Sequence, residues 1–203
     1  MEKQMKRQTL FLFLLLTLVC LPVRAEIVVT DVSGVTLKLA APARRIVSLA
    51  PHITELLFAA GAGNRVVGNV EYGEYPPAAK ALPKVGGYSR LDLEAIVALK
   101  PDLLLGWESG NAPAAISRLR SMGLAVHLSQ PNRIEDIASE LEIIGRLAGT
   151  EVAAKAAATA FRERYAKLGA RYSQRPSVDV FYQIWKQPLM TVNSKQIISD
   201  AIR

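Results

Sequence analysis

Short apolar runs alternate with stretches of helical periodicity between residues 45 and 148. The runs have the length and composition of buried β-strands, and four lie in this part of the chain: Arg45–Leu49, Arg65–Val70, Asp102–Trp107 and Leu124–Leu128. Strands that alternate with helices need crossover connections, which place successive strands parallel to one another. The pattern therefore predicts an α/β lobe built on a mostly parallel sheet.

Helices are predicted between these strands from apolar spacing and from residues that favour helix ends. Pro51 suits the first turn of a helix, and Asp92 is placed to cap another. Glycine or proline follows most of the periodic segments, as expected where a helix stops. The predicted helices cover residues 51–60, 93–99, 112–122 and 133–148.

Further elements are predicted on both sides of this region. Glu26–Leu39 has two β-rich runs around a turn sequence, which is typical of a hairpin. Glu151–Gln174 is predicted to be one helix, whose 24 residues would span about 36 Å. A strand over Val178–Ile184 and a helix from Ser194 onward follow. One strand and one helix cannot bury a core of their own, so this segment either joins the first lobe or begins a second one.

The first 25 residues have the layout of a secretory signal peptide. Basic residues precede the apolar run Leu10–Cys20, and a small residue, Ala25, stands where cleavage is expected. The run is shorter than the roughly 20 apolar residues that cross a bilayer. We expect cleavage after Ala25 and export, with lipidation at Cys20 or retention of the segment as the alternatives.

Composition excludes several classes of protein. The net charge is +7, from 25 Lys+Arg against 18 Asp+Glu, and part of that excess lies in the N-terminal segment. The remainder is too small and too scattered to predict nucleic-acid binding. Cys20 is the single cysteine, which excludes a disulfide framework and a cysteine-based metal site.

Catalytic motifs give little support to an enzyme. The chain has no Gly-x-Ser-x-Gly elbow, no P-loop and no spacing typical of metal ligands. A secreted hydrolase on the α/β lobe would need an acid–base pair at the strand ends, and the candidates there are Glu71, Glu74 and Glu108. We therefore predict no catalytic residues and no bound metal or cofactor.

Aromatic residues at predicted strand ends are the strongest candidates for binding. Tyr72 follows one strand, Tyr88 lies in a glycine-containing loop, and Trp107 closes another strand. Ligands of open parallel sheets bind beyond the carboxyl ends of the strands. Rings with polar tips can bury a large, mostly apolar ligand and still hydrogen-bond its rim. The alternative for each residue is ordinary packing under a loop.

Three motifs carry a resemblance to a known family. They are Leu93–Leu103 (LEAIVALKPDL), Glu71–Pro77 (EYGEYPP) and Gly106–Asn111 (GWESGN). The chain resembles the periplasmic cobalamin (vitamin B12)-binding proteins of ABC importers, which belong to a wider class that also binds iron-siderophores and haem. The match runs from about Arg45 to Leu147 and more loosely to about Thr191.

The resemblance implies a two-lobed binding protein with mostly parallel sheets joined by a single long helix. The expected organisation is a signal peptide at 1–25, an N-terminal α/β lobe at 26–150, a bridging helix at 151–175 and the start of an incomplete C-terminal lobe at 176–203. The ligand would lie in the cleft between the lobes.

The resemblance also implies roles for single residues. Tyr72, Tyr88 and Trp107 match positions that line the corrin site, although a member of the family has tryptophan at the position of Tyr88. Trp185 lies where the second lobe would begin to face the ligand. Glu94 matches an acidic residue that pairs with arginines of the membrane permease. The expected partners are thus cobalamin or a related corrinoid and an ABC permease–ATPase complex at the inner membrane.

Two alternatives on the same scaffold stay open at this point. The ligand could be haem or a ferric siderophore instead of a corrinoid. His52, at the start of a predicted helix, could be an axial ligand to cobalt or iron, because imidazole suits both metals. The other interpretation is that His52 caps or covers the helix end.

Overall fold

A four-stranded parallel sheet lies at the centre of the fold. The computed structural model of the protein describes residues 26–202. Two strands of two residues each form a second, smaller pair, and a hairpin lies at the N-terminal end of the described residues. The strands are β1 (Ile27–Thr30), β2 (Thr36–Leu39), β3 (Ile46–Ser48), β4 (Val66–Asn69), β5 (Gly86–Gly87), β6 (Arg90–Leu91), β7 (Leu103–Trp107) and β8 (Val126–Ser129).

The sheet order is β4-β3-β7-β8, and all of its neighbours are parallel. The α/β lobe with a parallel sheet is therefore confirmed. Antiparallel pairing joins β1 to β2 and β5 to β6. The helices are α1 (Pro51–Ala59), α2 (Leu93–Ala98), α3 (Pro113–Ser121), α4 (Asp136–Ala148), α5 (Glu151–Tyr172) and α6 (Ile197–Ile202). Short 3₁₀ turns cover Gly63–Arg65 and Pro77–Ala81.

Hydrophobic cores cover both faces of the sheet, because side chains of a strand alternate between faces. Leu103 and Leu105 of β7 belong to the core that α1, α4 and α5 complete. Leu104 of the same strand belongs to the opposite core, with residues of α2 and α3. A strand that is buried on both faces needs apolar residues throughout, which explains why the central strands are continuous apolar runs.

Asp31 fastens the N-terminal hairpin to the edge of the sheet. Its Oδ1 accepts hydrogen bonds from the backbone N–H groups of Ser33 (2.9 Å) and Val35 (3.0 Å), which closes the turn. Its Oδ2 accepts from Arg120 Nη2 at 2.7 Å and from the Leu128 N–H at 3.3 Å. Burial alone would raise the pKa of Asp31, but these hydrogen bonds and the charge of Arg120 outweigh it and lower the pKa.

Two glycines at the C-terminal end of α4 allow the chain to turn into α5 and the two helices to pack closely. Gly149 ends α4 with φ of +62°, a conformation in which glycine avoids the strain of a side chain. A Cβ on Gly145 would lie 2.4 Å from Ala154 Cβ, so the two helices approach more closely than any side chain at position 145 permits. The long helix is thereby packed against the lobe through its N-terminal half.

The predicted strand at Val178–Ile184 is wrong. These residues have no regular secondary structure, and the following residues form an isolated bridge between Trp185 and Met190. A strand requires a partner with free backbone groups, and no strand of the described sheets pairs with this segment. The segment is largely exposed.

Helix boundaries differ from the predicted ones by a few residues. α4 begins at Asp136 and not at Arg133, because the Asp136 carboxylate accepts hydrogen bonds from the Asn132 and Arg133 N–H groups and closes a turn there. The last helix begins at Ile197 and not at Ser194, and α5 ends at Tyr172.

The predicted signal peptide, with Cys20 and Ala25, lies outside the described residues. Within 26–202, no helix has the combination of length and apolar character that crossing a membrane requires.

Candidate functional site

The carboxyl ends of the parallel strands bring two of the predicted aromatic residues into contact. Trp107 is the last residue of β7, and Tyr88 lies between β5 and β6. Their ring centroids are 5.7 Å apart, with the planes tilted by 46°. Tyr88 keeps 40% of its surface exposed, while Trp107 is half-buried. The pair is therefore placed at the edge where open α/β sheets bind ligands.

His52 extends this pair to three rings. It lies in the first turn of α1, directly after the carboxyl end of β3. Its ring meets Trp107 edge to face, with centroids 5.3 Å apart and an angle of 88° between the planes. We refer to His52, Trp107 and Tyr88 as the aromatic cluster. Burial lowers the pKa of His52, so its imidazole is neutral at pH 7.

Asn111 holds the aromatic cluster in place through its buried side chain. Its Oδ1 accepts a hydrogen bond from the Trp107 N–H at 2.7 Å. Its Nδ2 donates to the carbonyl oxygens of Leu49 at 2.9 Å and Tyr88 at 2.7 Å. With only 3% of its surface exposed, Asn111 joins the end of β3, the end of β7 and the Tyr88 loop.

No role for Asn111 is predicted from the sequence, although it lies within the Gly106–Asn111 motif. An asparagine four residues after the end of a buried strand is a usable signal, because asparagine side chains commonly bond turn backbone. Gly110 supports the same turn: a Cβ there would lie 1.9 Å from the Trp107 ring. The turn can fold over the indole only with glycine at that position.

Tyr72 lies at the same edge of the sheet but makes no ring contact with Tyr88 or Trp107. It follows β4, has φ of +65° and is 77% exposed. The Glu71 N–H donates to the Gly86 carbonyl at 2.9 Å, which links the Tyr72 loop to the strand that leads to Tyr88. Tyr72 is thus presented to solvent at this edge and is not sealed inside the lobe.

Two side chains support the backbone of the Tyr72 loop. Asn69 Nδ2 donates to the Gly73 carbonyl, and Lys84 Nζ donates to the same carbonyl at 3.2 Å. Lys84 Nζ also donates to Asn69 Oδ1 at 2.9 Å. These contacts hold the Gly73 carbonyl in place and so fix the left-handed backbone conformation of Tyr72.

Neither Glu94 nor Trp185 belongs to the aromatic cluster. Glu94 is exposed in the first turn of α2, where Asp92 caps the helix by accepting a hydrogen bond from the Ala95 N–H at 2.9 Å. Together with Glu71 it lines a groove that follows β5 and β6. Trp185 is 61% exposed in the segment after α5, and its indole N–H donates to the Gln187 carbonyl at 3.0 Å.

This edge of the sheet combines aromatic rings with exposed carboxylates. Its rings offer flat apolar area with polar tips, and Glu71, Glu74 and Glu108, the candidates for an acid–base pair, are exposed. Among residues 26–202, no three histidine, cysteine or acidic side chains are grouped so that they could hold a metal ion.

The pattern of the family described as periplasmic binding protein matches residues 46–203, which is more than half of the chain. The chain belongs to this family. The parallel sheet and the long helix are therefore those of a periplasmic binding protein. The resemblance drawn from the sequence motifs is confirmed at the level of the family.

The curated relatives that the chain matches include vitamin B12-binding proteins. The chain is 36% identical over 151 residues to a vitamin B12-binding protein of Vibrio cholerae serotype O1, which covers 74% of the chain and 55% of that relative. It is 34% identical over 158 residues to the vitamin B12-binding protein of Photorhabdus laumondii subsp. laumondii, covering 78% and 58% respectively. The chain thus spans a little over half the length of the curated relatives it matches.

Solved structures include both vitamin B12-binding and haem-binding proteins. The periplasmic vitamin B12-binding protein BtuF of Vibrio cholerae aligns with a TM-score of 0.74 and 35% identity, over 78% of this chain and 62% of that one. A periplasmic haem-binding protein from Pseudomonas aeruginosa aligns with a TM-score of 0.59 and 29% identity, over 65% and 50%.

Proposed function

We propose that this periplasmic binding protein captures cobalamin or a related corrinoid and delivers it to the permease–ATPase complex of an ABC importer. The observation that carries the proposal is the aromatic cluster at the carboxyl edge of the sheet, in a chain 36% identical to a vitamin B12-binding protein. Capture is by shape and ring contact, and we propose no catalytic step.

The rigidity of the cluster supports capture of a broad, flat ligand. A corrin ring presents apolar faces and a rim of amide groups, which suits rings with polar tips. Because Asn111 already fixes the backbone at Trp107 and Tyr88, little ordering of these segments is needed when a ligand binds. We propose that Tyr72 and Trp185 add contacts from the β4 loop and from the segment after α5.

Delivery is proposed to use the exposed acidic side of the lobe. Glu94 stands in solvent at the start of α2, where an arginine of a partner can reach it. Such a rim charge contributes to orientation and choice of partner more than to affinity. We further propose that the chain is exported to the periplasm and that the signal peptide is removed after Ala25.

Haem is the second candidate ligand. The observation that favours it is the likeness to the haem-binding protein from Pseudomonas aeruginosa, together with a neutral imidazole at the aromatic edge. Haem binding would give the protein a Soret band that is lost on substitution of His52.

Calorimetric titration of the mature chain with cyanocobalamin and, separately, with haem tests the proposal. We expect one corrinoid per chain and a loss of about tenfold or more in affinity in Trp107→Ala, because a fully buried ring contributes more than about 1.4 kcal/mol. Tyr165→Ala is the matched control, since this tyrosine is exposed on α5.

The control should bind as the parent does. Binding of haem with no binding of cyanocobalamin would overturn the assignment to cobalamin. Equal affinity of the parent and Trp107→Ala for cyanocobalamin would remove the aromatic cluster from the binding site.

A further inference from the structure

His52 does not cap the helix in whose first turn it lies. The N-cap residue of α1 is Ala50, and no side chain caps this helix. The imidazole Nε2 is buried and makes no hydrogen bond to the described residues. A buried polar atom without a partner costs free energy and calls for an explanation.

The Trp107 ring beside the imidazole is the partner available to this buried nitrogen, and it leaves the other nitrogen, Nδ1, for a ligand. The imidazole adjoins Trp107, with ring centroids 5.3 Å apart, at the carboxyl end of the central strand β3. A macrocycle that covers Trp107 and Tyr88 is wide enough to reach the neighbouring imidazole. Of the two described residues that contact Trp107 ring to ring, His52 is the one that offers an imidazole nitrogen, a common metal ligand.

Coordination requires a free lone pair on one ring nitrogen. Burial keeps the imidazole neutral at pH 7, because desolvation disfavours the charged form and lowers the pKa. A neutral imidazole carries a proton on one nitrogen and a lone pair on the other. The edge-to-face contact with Trp107 is compatible with an N–H at the buried Nε2, which leaves the lone pair on Nδ1.

We propose that His52 is an axial ligand to the cobalt of the bound corrinoid and replaces an exchangeable water ligand there. This rests on the proposed function. The Co(III)–oxygen bond breaks, a Co(III)–nitrogen bond forms and one water molecule leaves. Cobalt keeps its oxidation state, and no proton is transferred.

Selectivity follows from the strength of the ligand that His52 has to replace. Water on Co(III) is exchangeable, whereas cyanide and a cobalt-bound methyl group are not displaced by imidazole. The protein should therefore bind aquocobalamin more tightly than cyanocobalamin, although both present the same corrin surface to Trp107 and Tyr88.

The test is absorbance titration of the full mature chain with aquocobalamin and with cyanocobalamin. In the parent protein, we expect bound aquocobalamin to show the red-shifted bands of an imidazole complex and bound cyanocobalamin to keep its spectrum. His52→Ala and His52→Gln should lose the red shift and bind aquocobalamin about tenfold or more weakly, a change of about 1.4 kcal/mol.

His127→Gln is the matched control, because this second histidine is buried in β8 and should not affect the spectrum. Circular dichroism shows that each variant is folded. Aquocobalamin bound to the parent with an unchanged spectrum would overturn the proposal for His52 alone. Failure of both corrinoids to bind the parent would overturn the proposed function and the axial ligand with it.

Discussion

At the scale of single residues, the candidate site depends on the buried polar side chain of Asn111, which fixes the backbone at Trp107 and Tyr88. Asn111 joins three backbone segments, and its three hydrogen bonds have no substitute within the described residues. The rings that would meet a ligand are partly exposed, whereas the group that positions them is buried. A change at Asn111 should therefore affect both stability and binding.

We expect Asn111→Ala to lower the free energy of unfolding by about 2–4 kcal/mol, because one N–H and two carbonyl oxygens lose their partner in a buried place. Urea unfolding measures the loss, and near-ultraviolet circular dichroism shows whether Trp107 loses its fixed environment. Ser109→Ala is the control in the same turn, since Ser109 is exposed, and it should change stability by less than about 0.5 kcal/mol. Equal stability of the two variants would contradict this role of Asn111.

At the scale of elements, the strand β8 contains an almost fully buried histidine. His127 is only 2% exposed, and neither of its nitrogens has a hydrogen-bond partner among the described residues. Desolvation lowers the pKa of His127 to about 4; Asp31 opposes this shift, and Arg120 and Arg146 add to it. The imidazole is therefore neutral in the folded protein down to acid pH.

The sign of the resulting pH dependence is fixed by the lowered pKa. An unfolded histidine takes up a proton near pH 6.5, whereas His127 in the folded protein does so near pH 4. Its contribution to stability is complete above pH 6.5 and is lost as the pH falls toward 4, by up to about 3 kcal/mol.

Urea unfolding at pH 7 and pH 4.5 measures this loss in the parent and in His127→Gln. Both proteins retain His52 and all carboxylates, so the difference between their pH dependences isolates His127. We expect the parent to lose more stability than the variant on acidification. An equal loss in both would show that His127 does not titrate in this way.

The strands and helices also show which elements can be predicted from local sequence patterns. The four sheet strands were predictable because burial on both faces requires continuous apolar residues. The helix α2 was predictable because Asp92 caps it locally. Val178–Ile184 has a strand-like composition but no strand to pair with, and pairing is a non-local property.

At the scale of the whole molecule, the sheet order creates the candidate site. Tyr72, Tyr88 and Trp107 are separated by up to 35 residues in the sequence, yet parallel strands bring them to one edge. This common edge was predictable from the alternation of strands and helices. The ring contact between Tyr88 and Trp107 was not, because it depends on the turn that Asn111 and Gly110 form.

The most direct test of the corrinoid-binding proposal is the emission of Trp107 during a titration with cyanocobalamin. The chain has two tryptophans, so Trp185→Phe leaves Trp107 as the single reporter. Corrins absorb where tryptophan emits, and a corrin held against the indole should quench it saturably at one equivalent. Free N-acetyltryptophanamide corrects for light absorbed by the solution. Quenching of Trp107 that merely follows this reference, without saturation, would contradict binding at the aromatic cluster.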